Sequence, residues 1–254
     1  MLHMLRRILT VFLLSSAGLL AQALPPPGPA PLPGGVTASS GPRLGFGFNT
    51  SSLGLGLEGA LRLTDSTNLR VGFNDFNYGH SYNHDGVDYA GRLDLRSVHA
   101  SFDWFFWGSL HLSPGVMLYN GNRVTAGATV PSGQQFTLGG TTYTSGSANP
   151  VSGSGLLSLN KAGPMLTLGF GNLVPRGLSR FSAGFELGAA YQGAPAVALN
   201  LNGTVCDSTG TTCAPASSFP GFSGSVQQEQ LRLQNILRVF KVYPILSVGF
   251  GYSF

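Results

Sequence analysis

The chain has 254 residues, 37 of them glycine, with 9% charged and 11% aromatic side chains and a formal net charge of +4. A soluble domain carries about 25% charged residues, so this composition disfavours a charged, water-facing shell. A mean hydropathy of +0.17 also disfavours a bundle of membrane helices, and low charge with abundant glycine suits a membrane β-barrel.

The N-terminus gives a compartment. Arg6 and Arg7 precede an apolar stretch from Ile8 to Leu20, followed by Ala21-Gln22-Ala23. That is the layout of a cleavable secretory signal peptide over residues 1–23; the apolar run is shorter than the roughly 20 residues of a spanning helix. Cleavage removes two Arg and no acid, so the formal charge falls from +4 to +2. No Lys/Arg cluster points to nucleic acid. Residues 24–42, rich in Pro, Gly and Ala, read as a flexible periplasmic tail, and the barrel is expected over 43–254.

From residue 44 onward the pattern is alternation, the period of a strand with two unlike faces. Leu44, Phe46 and Phe48 share a face, and a turn is expected over Asn49-Thr50-Ser51-Ser52. Leu53, Leu55 and Leu57 follow on an apolar face, then Leu69, Val71 and Phe73 after a polar turn at Thr64 to Asn68. Val87 to Trp107 is long: Leu93 and Leu95 are apolar first, then Val98, Phe102, Trp104 and Phe106, which reads as a one-residue slip near Ser97 of the kind a β-bulge makes. Trp104, Phe105, Phe106 and Trp107, with Tyr252 and Phe254, read as an interfacial aromatic girdle. Leu110, Leu112, Val116 and Leu118 form the next strand, Leu166, Leu168 and Phe170 another, and Phe181, Phe185, Leu187 and Tyr191 another. The last strand carries Phe240, Val242, Leu246, Val248, Phe250, Tyr252 and Phe254.

Short turns at Thr64 to Asn68, Gly108 and Val174 to Leu178 are expected on the periplasmic side. External loops are expected near His80 to Asp85, Gly127 to Gly155 and Gly203 to Val226. This predicts an all-β, closed antiparallel transmembrane barrel of eight strands, or ten if Phe136 to Tyr143 adds a hairpin. Val226 to Val239 has helix-like spacing and reads as a short amphipathic helix in the last external loop, although Leu231, Leu233, Leu237 and Val239 also fit a strand.

An eight-stranded interior is just wide enough to be filled by side chains or to hold one small ligand. The residues expected to point inward are Glu58, Arg62, Arg70, Arg92, Asp94, Arg96, His99, Asp103, His111 and Glu186. Both signs are present, so a mutually paired polar network is the simplest reading. The inward glycines, among them Gly54, Gly56, Gly72, Gly115, Gly184, Gly188, Gly249 and Gly251, leave room either for these side chains or for a narrow cavity. Cys206 and Cys213, close together in an oxidising compartment, suggest a disulfide that ties the last external loop. No motif of a hydrolase or metal site is found. Catalytic residues, metals and cofactors are therefore not expected, although a lipid-modifying enzyme is a conceivable use of such a scaffold.

The stretch Gly86-Val87-Asp88-Tyr89-Ala90-Gly91-Arg92-Leu93-Asp94-Leu95-Arg96-Ser97 resembles an outer-membrane β-barrel family of Gram-negative bacteria. Leu118-Tyr119-Asn120-Gly121-Asn122, Gly139-Gly140-Thr141-Thr142-Tyr143, Tyr191-Gln192-Gly193 and Phe240-Lys241-Val242-Tyr243-Pro244 fit the same resemblance. The aromatic end of the chain, Phe250, Tyr252 and Phe254, is similar to the C-terminal signal that the barrel assembly machinery recognises. The resemblance implies a membrane location and a barrel fold and supplies no catalytic or binding residues; cell outer-membrane lipid and that machinery are the expected partners, and the oligomeric state stays open with a monomer expected. The likeness to small OmpA-like and OmpW-like barrels is architectural. The expected role is structural or surface-exposed, with a narrow pathway for small apolar solutes as the alternative.

Overall fold

The computed structural model describes residues 43–84, 87–177 and 179–254. The signal peptide and the Pro-rich tail expected over 1–42 lie outside the described residues. The strands are β1 (Leu44–Ser51), β2 (Gly54–Thr64), β3 (Thr67–His84), β4 (Val87–Trp107), β5 (Leu110–Asn120), β6 (Arg123–Thr129), β7 (Gln135–Leu138), β8 (Thr141–Ser145), β9 (Ser152–Ser158) and β10 (Gly163–Phe170). They continue with β11 (Phe181–Tyr191), β12 (Ala196–Asn202), β13 (Thr204–Cys206), β14 (Cys213–Pro215), helix α1 (Phe222–Leu237) and β15 (Val242–Ser253).

Eight strands close a ring in the order β1-β2-β3-β4-β5-β10-β11-β15, every neighbour antiparallel. The first and last strands seal it, with Gly45 opposite Ser253 and Ser51 opposite Ser247. We call the end where β15 finishes the lower end. Its turns are short between β2 and β3 and between β4 and β5. The stretch between β10 and β11, expected as a short turn over Val174 to Leu178, is longer and occupies 171–180.

Alternation sets the faces. Leu55 and Leu57 stay 49% and 64% exposed while Ala60 is 1% exposed. Around the ring Phe46, Phe73, Phe102, Leu168, Leu187 and Phe250 are likewise exposed, an apolar outer band far larger than the patches water-soluble monomers tolerate. Aromatic side chains crowd the lower rim. Phe46, Phe254, Tyr252 and Phe181 form a chain of edge-on contacts at 5.0–6.3 Å, and Trp107 is 80% exposed.

Above the ring the chain changes architecture. The upper part of β4, Asp88 to Asp94, pairs with β6 rather than β5, and β6, β9 and β12 follow in an open sheet. Beyond it stands a separate four-stranded sheet, β14-β13-β8-β7. The Phe136 to Tyr143 segment does form a hairpin, β7 with β8, but in this second sheet. The ten-strand alternative is therefore not what is found. Leu138, Tyr143, Val151, Val205, Ala216 and Phe222 make an apolar core beneath α1. The helix begins at Phe222 instead of Val226 and ends at Leu237, two residues before Val239. Both ends are set by burial: Phe222 and Leu237 are the buried apolar residues of the helix.

Two face assignments differ from the sequence reading. β1 runs straight through Asn49 to Ser51, so the turn falls at Ser52–Leu53, and Leu53 folds inward, 2% exposed, instead of joining Leu55 outside. On β4 there is no slip: Leu95, Ser97, His99, Ser101, Asp103 and Phe105 are all buried, an unbroken inward row. The register shift between Val98 and His99 is taken up on β5, where they face Tyr119 and Met117. The apolar face changes sides near Ser97: the outward residues Val98, Phe102 and Trp104 below it are apolar, and Arg92, Asp94 and Arg96 above it are charged. Phe105 accordingly belongs to the interior and not to the aromatic girdle.

Candidate functional site

The interior of the ring is the only place where the chain collects buried charge among the described residues. Arg70 of β3 is its centre. Its Nε and Nη2 donate to Asp103 Oδ1 at 3.3 and 3.0 Å, its Nη1 donates to Glu58 Oε2 at 3.4 Å, and Nη2 also meets Glu186. Each carboxylate has further donors. Asn49 Nδ2 donates to Glu58 Oε1 at 2.6 Å, and the Ser113 hydroxyl to Asp103 Oδ1 at 2.7 Å. The Thr167 hydroxyl donates to Glu186 Oε2 at 3.3 Å, and His111 Nε2 lies 3.2 Å from Glu186 Oε1. His99 packs between Asn74, 3.4 Å from its Nδ1, and Glu58, 3.9 Å from its Nε2. The inward period of β2, β3, β4, β5 and β11 brings these residues together; a guanidinium offers the fork of donors that several carboxylates can share.

Six of the ten residues expected inside, Glu58, Arg70, His99, Asp103, His111 and Glu186, are thus brought into one network. Four are not. Arg62 faces inward at the lower rim but pairs with Asp65 of the adjacent turn. Arg92 and Asp94 form an exposed cluster with Arg123, at 2.9 and 3.2 Å, and Arg96 pairs with Asp75 at 2.6 Å. These β4 residues sit on the even-numbered outer face, above the apolar band, and the supposed slip had placed them on the wrong side. In that cluster the hydrogen bond from Arg92 holds the Asp94 carboxyl below its usual range.

Inward glycines make room for the network. A Cβ at Gly72 would fall on the His99 ring, and one at Gly169 on His111 and Glu186. Above the charges lies an apolar layer of Leu53, Met117, Met165, Ala190 and Ile245. Below them residues 172–176 fold into the barrel mouth. Leu173 occupies the space left by Gly47 and Gly251, and Val174 is 0% exposed. Asn172 Oδ1 accepts from Asn68 Nδ2 and from the Val174 N–H, both at 2.9 Å. Arg176 donates to Asn68 Oδ1 at 2.9 Å and to the Asp65 carbonyl at 2.8 Å, and lies 5.1 Å over the Phe105 ring. The sequence reading missed this plug. Its signal was present in Gly45, Gly47, Gly249 and Gly251, four inward glycines clustered at one end of two paired strands, which demand a filler from elsewhere.

Beside the charges is a cavity of about 50 Å³ bordered by Glu58, Arg70, Asp103, His111, Glu186 and Leu173. That is room for a few waters at most. Among the described residues no group of three or more His, Cys, Asp or Glu side chains is placed to hold a metal ion. His80 instead stacks on Tyr82, which stacks on Tyr89 at 5.2 Å.

The cap above the barrel is the second candidate surface. Cys206 and Cys213 are joined by a disulfide across the β13–β14 hairpin. Inside the loop it closes, the Asp207 carboxylate accepts the Thr211 N–H at 2.9 Å and the Thr209 hydroxyl at 2.9 Å, and these bonds hold its pKa at about 2. The Tyr143 and Ser225 hydroxyls meet at 2.8 Å and tie α1 to β8.

No protein-family model matches the chain, and no curated protein matches it. Solved structures of similar fold include two from Acinetobacter baumannii. CarO of Acinetobacter baumannii is 21% identical, with 84% of this chain and 98% of that one aligned at a TM-score of 0.53. The Acinetobacter baumannii protein CarO2 is 18% identical over the same shares, also at a TM-score of 0.53. The likeness is one of fold alone: a closed antiparallel β-barrel.

Proposed function

We propose that the protein is an outer-membrane barrel with a closed interior, whose role is to hold a disulfide-tied cap at the cell surface. The lower end would face the periplasm and the cap the exterior, with lipid around the apolar band. The C-terminal strand with Phe250, Tyr252 and Phe254 would engage the barrel assembly machinery. The role is non-catalytic and the unit is one chain. The observation that carries this reading is the stack of side chains in the lumen: the Arg70 network, the apolar layer above it and the Leu173 plug below, with a cavity of about 50 Å³ beside the charges.

Planar-bilayer recordings on the purified protein test it. The expected result is no conductance step above that of lipid alone. Steps of porin size would overturn the closed-barrel reading. A second reading, passage of small apolar solutes, is favoured only by the apolar layer of Leu53, Met117, Met165, Ala190 and Ile245. Uptake of such a solute by protein-containing liposomes, abolished by Met117→Trp, would support that route over a purely structural role.

A further inference from the structure

The upper boundary of the barrel wall carries a second surface, and its reading rests on the membrane location just proposed. A strand rising about 3.3 Å per residue and tilted about 40° climbs about 25 Å in ten residues, the height of the apolar band of an outer-membrane barrel. Measured from Phe181 at the lower rim, that height places Tyr191 and its β15 partner Val242 at the upper boundary.

The chain contains two lysines, Lys161 and Lys241, and both lie at this level. Lys241 immediately precedes β15, and Lys161 immediately precedes the loop residue leading into β10. Backbone bonds knit them into one rim: the Asn160 N–H donates to the Gln192 carbonyl at 3.2 Å, and the Gln192 N–H donates to the Lys241 carbonyl at 2.9 Å. Arg238, just past α1, shares a shallow hollow with Asn235, Val239 and Lys241. All three cations are exposed. Arg92, Arg96, Arg123 and Arg232 each have a carboxylate partner, whereas among the described residues Lys161, Arg238 and Lys241 have none. Beside them Val239 is 78% exposed, Val242 54% and Phe240 44%. Unpaired cations next to exposed apolar side chains, at the height where the apolar band ends, complement a lipid with an anionic head and acyl chains.

We propose that this rim binds the phosphate groups of outer-leaflet lipids. Lys161, Arg238 and Lys241 meet the phosphates, and Val239, Phe240 and Val242 meet the upper acyl chains. A cation at an anionic lipid surface is worth about fivefold in binding, so three together are worth on the order of a hundredfold.

Native mass spectrometry of the detergent-purified barrel tests this with diphosphorylated lipid A and its dephosphorylated form. The expected result is that a Lys161→Gln, Arg238→Gln, Lys241→Gln variant binds the diphosphorylated lipid about a hundredfold more weakly than wild type. The two proteins should bind the dephosphorylated lipid alike, and a charge-keeping Lys161→Arg, Lys241→Arg variant should bind as wild type does. Equal affinity of wild type and the charge-free variant for the phosphorylated lipid would overturn the proposal. So would displacement of that lipid by an equal concentration of inorganic phosphate, which would mark a site for the free anion. Heat-dependent gel mobility is measured on every protein: absence of a shift in wild type would remove the barrel reading itself, and a shift in all of them confines any failure to the rim.

Discussion

The barrel and its cap are built from one chain under opposite rules. In the barrel the charged side chains are inside, gathered on Arg70, and most of the large apolar ones are outside. In the cap the apolar side chains are inside, gathered on Phe222 and Tyr143, and a disulfide closes the β13–β14 hairpin. The contrast fits the proposed membrane location, in which β4 would mark the crossing from lipid to water. Below Ser97 its outward side chains are Val98, Ala100, Phe102 and Trp104; above it they are Arg96, Asp94 and Arg92 on the same face of the same strand.

The largest expected effect comes from removing the charge on which the barrel interior turns. Arg70→Ala leaves Glu58, Asp103 and Glu186 together without a cation. Breaking a buried ion pair in this way costs about 3–5 kcal/mol, so urea titration should show a destabilised barrel or no heat-dependent gel shift at all. In the cap the corresponding change is Phe222→Ala, which costs about 3–5 kcal/mol for a buried aromatic. Its effect should be confined: proteolysis of the external segments rises while the barrel keeps its gel shift. If the barrel unfolds with it, the two regions are not separate units.

Replacing Cys206 and Cys213 with Ser opens a loop of sequence separation 7, worth about 2–3 kcal/mol on chain entropy, again read as cap proteolysis without loss of the barrel. The smallest effect sharpens the contrast most. Arg92→Ala removes a cation that is also bonded to an aspartate, but in water, and should change stability by no more than about 0.5 kcal/mol. A loss of the size expected for Arg70→Ala would mean that Arg92 is buried after all.

Much of this was legible in the sequence because alternation is a local signal. Leu44, Phe46 and Phe48, or Phe250, Tyr252 and Phe254, declare a strand without reference to anything distant. The eight-strand ring follows from such segments and the lengths between them. The face of Arg92, Asp94 and Arg96 was not legible, because alternation alone does not say where the surrounding solvent changes; a strand leaving an apolar medium shows the same pattern as a one-residue slip. The plug was hidden for a different reason. Leu173 and Arg176 lie in a segment with no period, and their partners, Gly47, Gly251 and Asn68, are far away in the chain. In the upper sheet β6 and β9 overlap the ends of a stretch read as a loop, where Ala, Gly and Ser replace most of the large apolar residues that betray a strand, while β12 carries alternating Val197, Leu199 and Leu201 and was not picked out.

The central claim is that the surroundings of β4 change near Ser97. Spin labels placed singly at Arg92, Asp94, Arg96, Val98, Ala100, Phe102 and Trp104 in bilayer-reconstituted protein measure it directly, through collision with dissolved oxygen and with a water-soluble nickel chelate. The account expects oxygen to dominate from Val98 to Trp104 and the chelate to dominate at Arg92, Asp94 and Arg96, with the crossover between Arg96 and Val98. Chelate access at every one of these positions would contradict it, and with it the assignment of the outer band to lipid.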